Sequence, residues 1–195
     1  MKYRVLFFSQ CALLLFLVAH VQAKAASPEQ ASLQQQLQGD FDAPLVIGQT
    51  NIAAANLIRA FYLGNAYRRA WKQQSLIDVL IEAIEESYDA GLSPEDYHIS
   101  EIKERISKQI KIPEQQAQLD IILTDALIRL IYHYAFGKVV PGKLDPDWNF
   151  SREFITEDPV AKLQQSLTST HNLQLLLHEY NQYGPFYQGL VKALA

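Results

Sequence analysis

Cysteine is nearly absent: the 195 residues contain one, Cys11, and it lies inside the first apolar stretch of the chain. Once that stretch is removed on export, the remainder has neither a thiol nor a disulfide, so the fold must rest on an apolar core alone. Glycine and proline are sparse, eight of each, and fall between periodic segments, which argues against collagen-like, low-complexity and repeat architectures. A surplus of positive charge is missing too. The 17 Lys and Arg stand against 21 Asp and Glu, a formal net charge of -4, without the basic excess that a phosphate backbone requires. Nucleic acid is therefore not an expected partner. Period-2 alternation of apolar residues is sustained nowhere, which removes the signature of strands and points to an all-α domain.

What is present begins with a secretory pattern. Lys2 and Arg4 precede an apolar stretch from Val5 to Val18, broken by Ser9 and Gln10, and Val21-Gln22-Ala23 supplies a cleavage site. The stretch is too short to span a bilayer, which needs roughly 20 apolar residues. Residues 1–23 are expected to be a signal peptide cut after Ala23, with Ala25 as a second option, and the mature chain to be periplasmic without a stable membrane span. Phe8-Ser9-Gln10-Cys11 lies in mid-stretch, so Cys11 is not placed as a lipid-bearing cysteine.

Residues 24–50 are Gln- and Ala-rich, with Leu33 and Leu37 as one short helical hint, and read as a flexible lead-in. Residues 51–195 read as a compact multi-helix bundle. Asn51 is expected to cap a helix through Ile52, Leu57, Ile58 and Phe61 that ends at Gly64-Asn65. Ser75-Leu76-Ile77-Asp78 reads as a capping box, followed by a buried stripe of Ile77, Leu80, Ile81, Ile84 and Tyr88 and a left-handed stop at Gly91. Ser93-Pro94 predicts a short turn. Ser100 begins a helix through Ile102, Ile106 and Ile110, closed by Ile112-Pro113. Leu119, Ile122, Leu123, Ala126, Leu127, Leu130, Ile131 and Tyr134 form a band too broad for a surface helix and predict the centre of the bundle, ending at Gly137. Lys138 to Phe150 reads as an ordered excursion anchoring Trp148. Asp158-Pro159 starts a helix with Leu163 and Leu167 on one face, and Asn172–Tyr180 and Pro185–Ala195 follow.

Four stretches together resemble the N-terminal scaffold domain of the YcbB-type murein L,D-transpeptidases. They are Phe61-Tyr62 with Tyr67-Arg68-Arg69-Ala70-Trp71, where Arg69 occupies the family's usual proline position; the complete string Ala90 to His98; Leu119 to Leu127 with the exit Gly137-Lys138-Val139 and Pro141; and Tyr187, Leu190 and Ala193-Leu194. The resemblance covers about Asn56 to the C-terminus. It implies an all-α scaffold in cell-wall biogenesis, followed in the family by a peptidoglycan-binding module and a catalytic domain with a Ser-His-Gly-Cys run, which these residues do not contain. Within it, Trp71, Tyr97 and Trp148 read as amphipathic core fillers with satisfied polar tips, and Asp96 and Asp125 as caps or partners of local backbone.

No catalytic, cofactor-binding or metal-ligating residue is assigned. Acyl transfer by this class needs a cysteine thiolate. No serine sits in a Gly-x-Ser-x-Gly elbow, His133, His171 and His178 lack His-Glu-x-x-His spacing, and neither Gly-x-Gly-x-x-Gly nor Gly-Lys-Ser/Thr occurs. The chain is expected to be the non-catalytic scaffold portion of a periplasmic L,D-transpeptidase, separated from its sibling catalytic domain by a truncated gene or a fragmentary sequence. Its expected partners are peptidoglycan or cell-wall synthesis proteins. The alternative is a stand-alone periplasmic module docking peptidoglycan or a synthesis complex; a helical glycan-cleaving enzyme rests only on compartment and abundant carboxylates.

Overall fold

A computed structural model describes residues 25–41, 43–138 and 158–181. The expected signal peptide with Cys11, the expected excursion around Trp148, Val139 and Pro141, and the closing pattern at Tyr187, Leu190 and Ala193-Leu194 lie outside the described residues, as does the segment Pro185–Ala195. Among the described residues the chain is all-α apart from one hairpin. The elements are α1 (Pro28–Gln36), β1 (Leu45–Ile47), β2 (Thr50–Ile52), α2 (Ala55–Gly64), α3 (Gln74–Glu86), α4 (Ile99–Ser107), α5 (Pro113–Phe136), α6 (Pro159–Ser166) and α7 (Thr170–Tyr180). Two 3₁₀ turns, Ser87–Ala90 and Pro94–Tyr97, join α3 to α4.

The centre is α5. Every residue from Leu119 to Ile128 is buried, which a helix achieves only with neighbours on all sides, and α1, α2, α3, α4 and α7 all pack against it. Each predicted band position on this helix, Leu119 to Tyr134, is in the core. Helix α6 packs on α2 and α7, extending the same bundle. No helix among the described residues is long and apolar enough to cross a membrane.

The lead-in is a correction. Ser27-Pro28-Glu29-Gln30 forms a capping box: the Ser27 hydroxyl accepts the Gln30 amide at 3.3 Å while the Gln30 side chain accepts the Ser27 amide at 2.8 Å. Pro28 sits at the first helical position, where its missing amide has no cost. Leu33 and Leu37 then bury completely or nearly so, docking α1 along α5. The chain next makes an antiparallel hairpin, Leu45 opposite Ile52 and Ile47 opposite Thr50, with Gly48 at a φ of 64° in its tight loop. Leu45, Ile47 and Ile52 point into the core. Three-residue strands are too short to show as a periodic pattern.

Other boundaries moved for local reasons. Asn51 lies in β2 and caps nothing; α2 starts at Ala55 after Ala54, without a side-chain cap from its own neighbourhood. Helix α3 begins at Gln74, so Ser75 is already inside it, and Asp78 instead accepts from the Gln74 side chain at 2.9 Å. The backbone tightens to 3₁₀ after Glu86, and with three residues per turn instead of 3.6 the stripe is rotated. Tyr88 is consequently 73% exposed rather than buried. Gly91, at a φ of 73°, is the left-handed stop. Helix α4 starts at Ile99 and ends at Ser107 rather than near Ile112, since Gln109 turns left-handed at a φ of 45°. Asp158 caps α6 as expected, accepting the Ala161 amide at 2.9 Å.

Candidate functional site

Two aspartates interrupt the apolar run of α5, Asp120 and Asp125, and both are completely buried. A buried carboxylate is tolerated only where donors replace water. Each therefore collects partners from elements far away in sequence, and each organises one side of the domain.

Asp120 takes four. Its Oδ2 accepts from the Tyr62 hydroxyl at 2.7 Å and the Ala70 amide at 2.8 Å; its Oδ1 accepts from the Trp71 amide at 3.1 Å and from Arg69 Nε at 3.3 Å. Thr124, one turn on, accepts from the Trp71 indole at 3.0 Å and donates to the Asp120 carbonyl at 2.8 Å. These bonds pin the loop between α2 and α3. That loop contains two successive non-glycine residues in the left-handed region, Ala66 at a φ of 50° and Tyr67 at 53°. Such a pair persists only when the surroundings over-determine it. Burial pushes the Asp120 carboxyl above the usual range, although the Ala70 amide, the Tyr62 hydroxyl and Arg69 pull the other way. Burial, and then the Asp120 charge, push the Tyr62 phenol well up.

Asp125 takes fewer and more accessible partners. Its Oδ1 accepts the Ala54 amide at 2.9 Å, which supplies the start of α2 with the cap that Asn51 does not provide. Its Oδ2 lies 2.9 Å from His98 Nε2 and 3.7 Å from Arg129 Nη1. Arg129 Nη1 is also 3.3 Å from the same imidazole nitrogen. One nitrogen cannot both donate to Asp125 and accept from Arg129, and the shorter contact to a carboxylate favours donation. His98 itself is left-handed, with a φ of 60°, and is the residue from which α4 departs. Beside it, the Tyr97 hydroxyl meets His133 Nδ1 at 2.9 Å. Burial, reinforced by Arg129, holds the His133 imidazole below its usual range.

The Asp125 side opens into a cleft of about 670 Å³, whose walls include Pro44, Ile52, Asn56, Arg129, Tyr132 and His133. Small apolar residues, Ala53 to Ala55 among them, form much of the rest.

The residues read from sequence are placed as follows. Trp71 and Tyr97 are core fillers with satisfied polar tips, 1% and 0% exposed; Trp148 lies outside the described residues. Asp96 pairs with Lys138 at 2.5 Å. Asp125 corrects its reading, because the amide it accepts is 71 residues distant and not local. His133 joins Tyr97, while His171 and His178 stand on α7, and no group of three potential metal ligands occurs among the described residues. Asp120, Thr124 and Tyr62 were missed as partners of one another, and His98 as a partner of Asp125. The available signal was charge in the wrong place: an aspartate flanked on both sides by residues of an all-round apolar helix has to be answered by donors from elsewhere.

Comparison with known proteins finds a family model described as a scaffold domain that matches residues 56–194. No curated protein and no solved structure matches the chain.

Proposed function

The chain belongs to the scaffold-domain family of the L,D-transpeptidases, and on that premise we propose that it serves peptidoglycan cross-linking in the periplasm as a non-catalytic part. The catalytic cysteine and the wall-binding module are supplied by sequence other than these 195 residues. The observation that carries this reading is where the chemistry of the family-like strings goes. Trp71, Tyr97, His98, Asp120 and Asp125 bond to one another, to Thr124, to His133 and to backbone. Side chains committed in this way fix relative positions of helices and are not left to reach a substrate. Export follows from the pattern of Lys2, Arg4, the apolar stretch and Ala23.

The test has two parts. Expressed in a bacterium with a periplasm, the protein is expected in the periplasmic fraction with Lys24 at its N-terminus. Fused ahead of a peptidoglycan-binding and catalytic segment that lacks its own scaffold, it is expected to raise the yield of L,D-cross-linked muropeptides over that segment alone. Retention in the cytoplasm, or a fusion no better than the bare segment, would reject the reading.

A further inference from the structure

A second cleft, of about 610 Å³, is lined by Glu29 and Gln30 at the start of α1 and by Arg68, Arg69 and Lys72 from the loop that Asp120 pins. Three cations face one carboxylate in a protein whose formal net charge is -4. The two walls are tied together by Gln30, whose side chain donates to the Ala66 carbonyl at 3.2 Å. Arg69 is fixed by Asp120 and by the Trp71 carbonyl. Arg68 and Lys72 are exposed, and neither enters an ion pair among the described residues; Arg68 Nε is steadied by the Asn65 carbonyl at 3.1 Å. The Glu29 carboxyl is held below its usual range by the Ser27 hydroxyl and, more weakly, by Arg69 and Lys72.

The left-handed pair Ala66-Tyr67 sets the direction in which this loop leaves α2 and returns to α3. Backbone in that region has a cost for any residue with a Cβ, and it concentrates where a side chain must be presented in one orientation. Here the presented residues are basic. A cation held on a rigid loop loses less freedom on binding than one on a mobile tail.

We propose that this cleft docks a carboxylate-bearing polymer, namely the peptide stems of peptidoglycan, with Arg68 and Lys72 taking separate carboxylates and Arg69 adding its charge from a fixed position. The proposal rests on the wall-assembly reading above. Spaced monoanions fit better than a single phosphate: the Gln30 amide in α1's first turn is already taken by Ser27, so attraction comes from side chains spread across an open trough and not from converging amides.

The experiment is co-sedimentation of the full-length exported protein with purified sacculi at low and at high salt. The variants are R68E/K72E and, as a control for overall charge, K108E/K111E, which makes the same change outside the cleft. The wild type and the control are expected to sediment with sacculi at low salt and to be released at high salt. R68E/K72E is expected to bind about tenfold more weakly while keeping the wild-type unfolding midpoint, since both positions are exposed. Soluble polyglutamate should compete. Equal binding by R68E/K72E, equal loss in both double variants, or capture by phosphatidylglycerol vesicles without retention on sacculi would each overturn the proposal. Absence of sacculus binding by the wild type would do the same, yet leave the scaffold reading to its fusion test.

Discussion

Asp120 and Asp125 stand on the same helix, equally buried, and they are used in opposite ways. Around Asp120 the four partners are two amides, a buried phenol and one arginine, with Thr124 and the Trp71 indole closing the shell. Around Asp125 one amide is joined by His98 and Arg129, whose side chains are 13% and 25% exposed, and Arg129 lines a cleft. The first arrangement meets solvent through one partner, Arg69, whose side chain is 19% exposed, and its consequence appears at a distance, as the orientation of the basic loop. The second meets solvent through two partners and holds the start of α2 and the departure of α4 together. A buried carboxylate is thus not one structural device but two, distinguished by how far backbone amides supply its donors: two amides and a buried phenol beside one cation at Asp120, one amide beside two partly exposed side chains at Asp125.

The largest effect expected from that contrast is at Asp120. D120A leaves two amides and a buried phenol without this acceptor and Arg69 without its partner, and breaking a buried ionic cluster by removing one partner costs about 3–5 kcal/mol. Urea unfolding monitored by circular dichroism should show it, and D120N should also be damaging, because the new amide turns an N–H towards the Ala70 or Trp71 N–H. D125A loses one amide acceptor and two partners that water can still reach, so about 2 kcal/mol is expected. If D125A proved equal to or worse than D120A, the distinction between the two clusters would fail.

A smaller effect sharpens the same comparison. T124V removes a hydroxyl without changing shape much and strands the Trp71 indole N–H, a loss of about 1–2 kcal/mol. The wild-type indole is 3.0 Å from that hydroxyl in a fully buried setting. The check is the unfolding midpoint together with indole exchange: faster hydrogen exchange at Trp71 is expected in T124V and not in D125A. Faster exchange in D125A alone would mean that the two clusters are coupled along α5 and act as one.

How much of this could be read in advance differs by element. The band on α5 and its place at the centre were legible, since eight apolar residues at broad angular spread admit no surface position. The start at Asp158-Pro159 was legible from cap chemistry, and the turn at Ser93-Pro94 from the proline at its first position, since the Ser93 side chain makes no cap hydrogen bond. The hairpin was not, because three residues give period-2 no room to repeat, nor was α1, whose signal was the box Ser27 to Gln30 and not the apolar spacing first noticed. Tyr88 was misplaced because a change from α to 3₁₀ geometry leaves no mark in apolar periodicity. The aspartate clusters were hidden for a different reason: the amides they accept lie 49 to 71 residues away, and local pattern carries no information about pairing at that range. The cleft at Arg68 and Lys72 inherits that blindness, since its loop is positioned by Asp120.

The smallest expected effect is on pH, where the two regions should differ in sign. His133 belongs to the open side and has a folded pKa below its ordinary value of 6.5, through burial and Arg129. The unfolded chain therefore takes up the proton first as pH falls, so stability from neutral His133 is fully present above about 6.5 and is lost downward through its folded value. Asp120 belongs to the other cluster, and burial holds its folded pKa above its ordinary value of 3.8. There the folded state holds the proton longer, so its contribution is greatest below 3.8 and declines as pH rises through the folded value. Unfolding curves at a series of pH values, for wild type, H133Q and D120N, separate the two. The difference between wild type and H133Q should shift against the wild type as the medium is acidified from neutral. The difference between wild type and D120N should move against the wild type as the medium is made less acid. Two slopes of the same sign would mean that the imidazole gains a counter-charge on protonation that outweighs burial. Among the groups around it, Tyr97, Arg129, Lys138 and Asp96, only Asp96 could supply one, and D96N would then remove the slope.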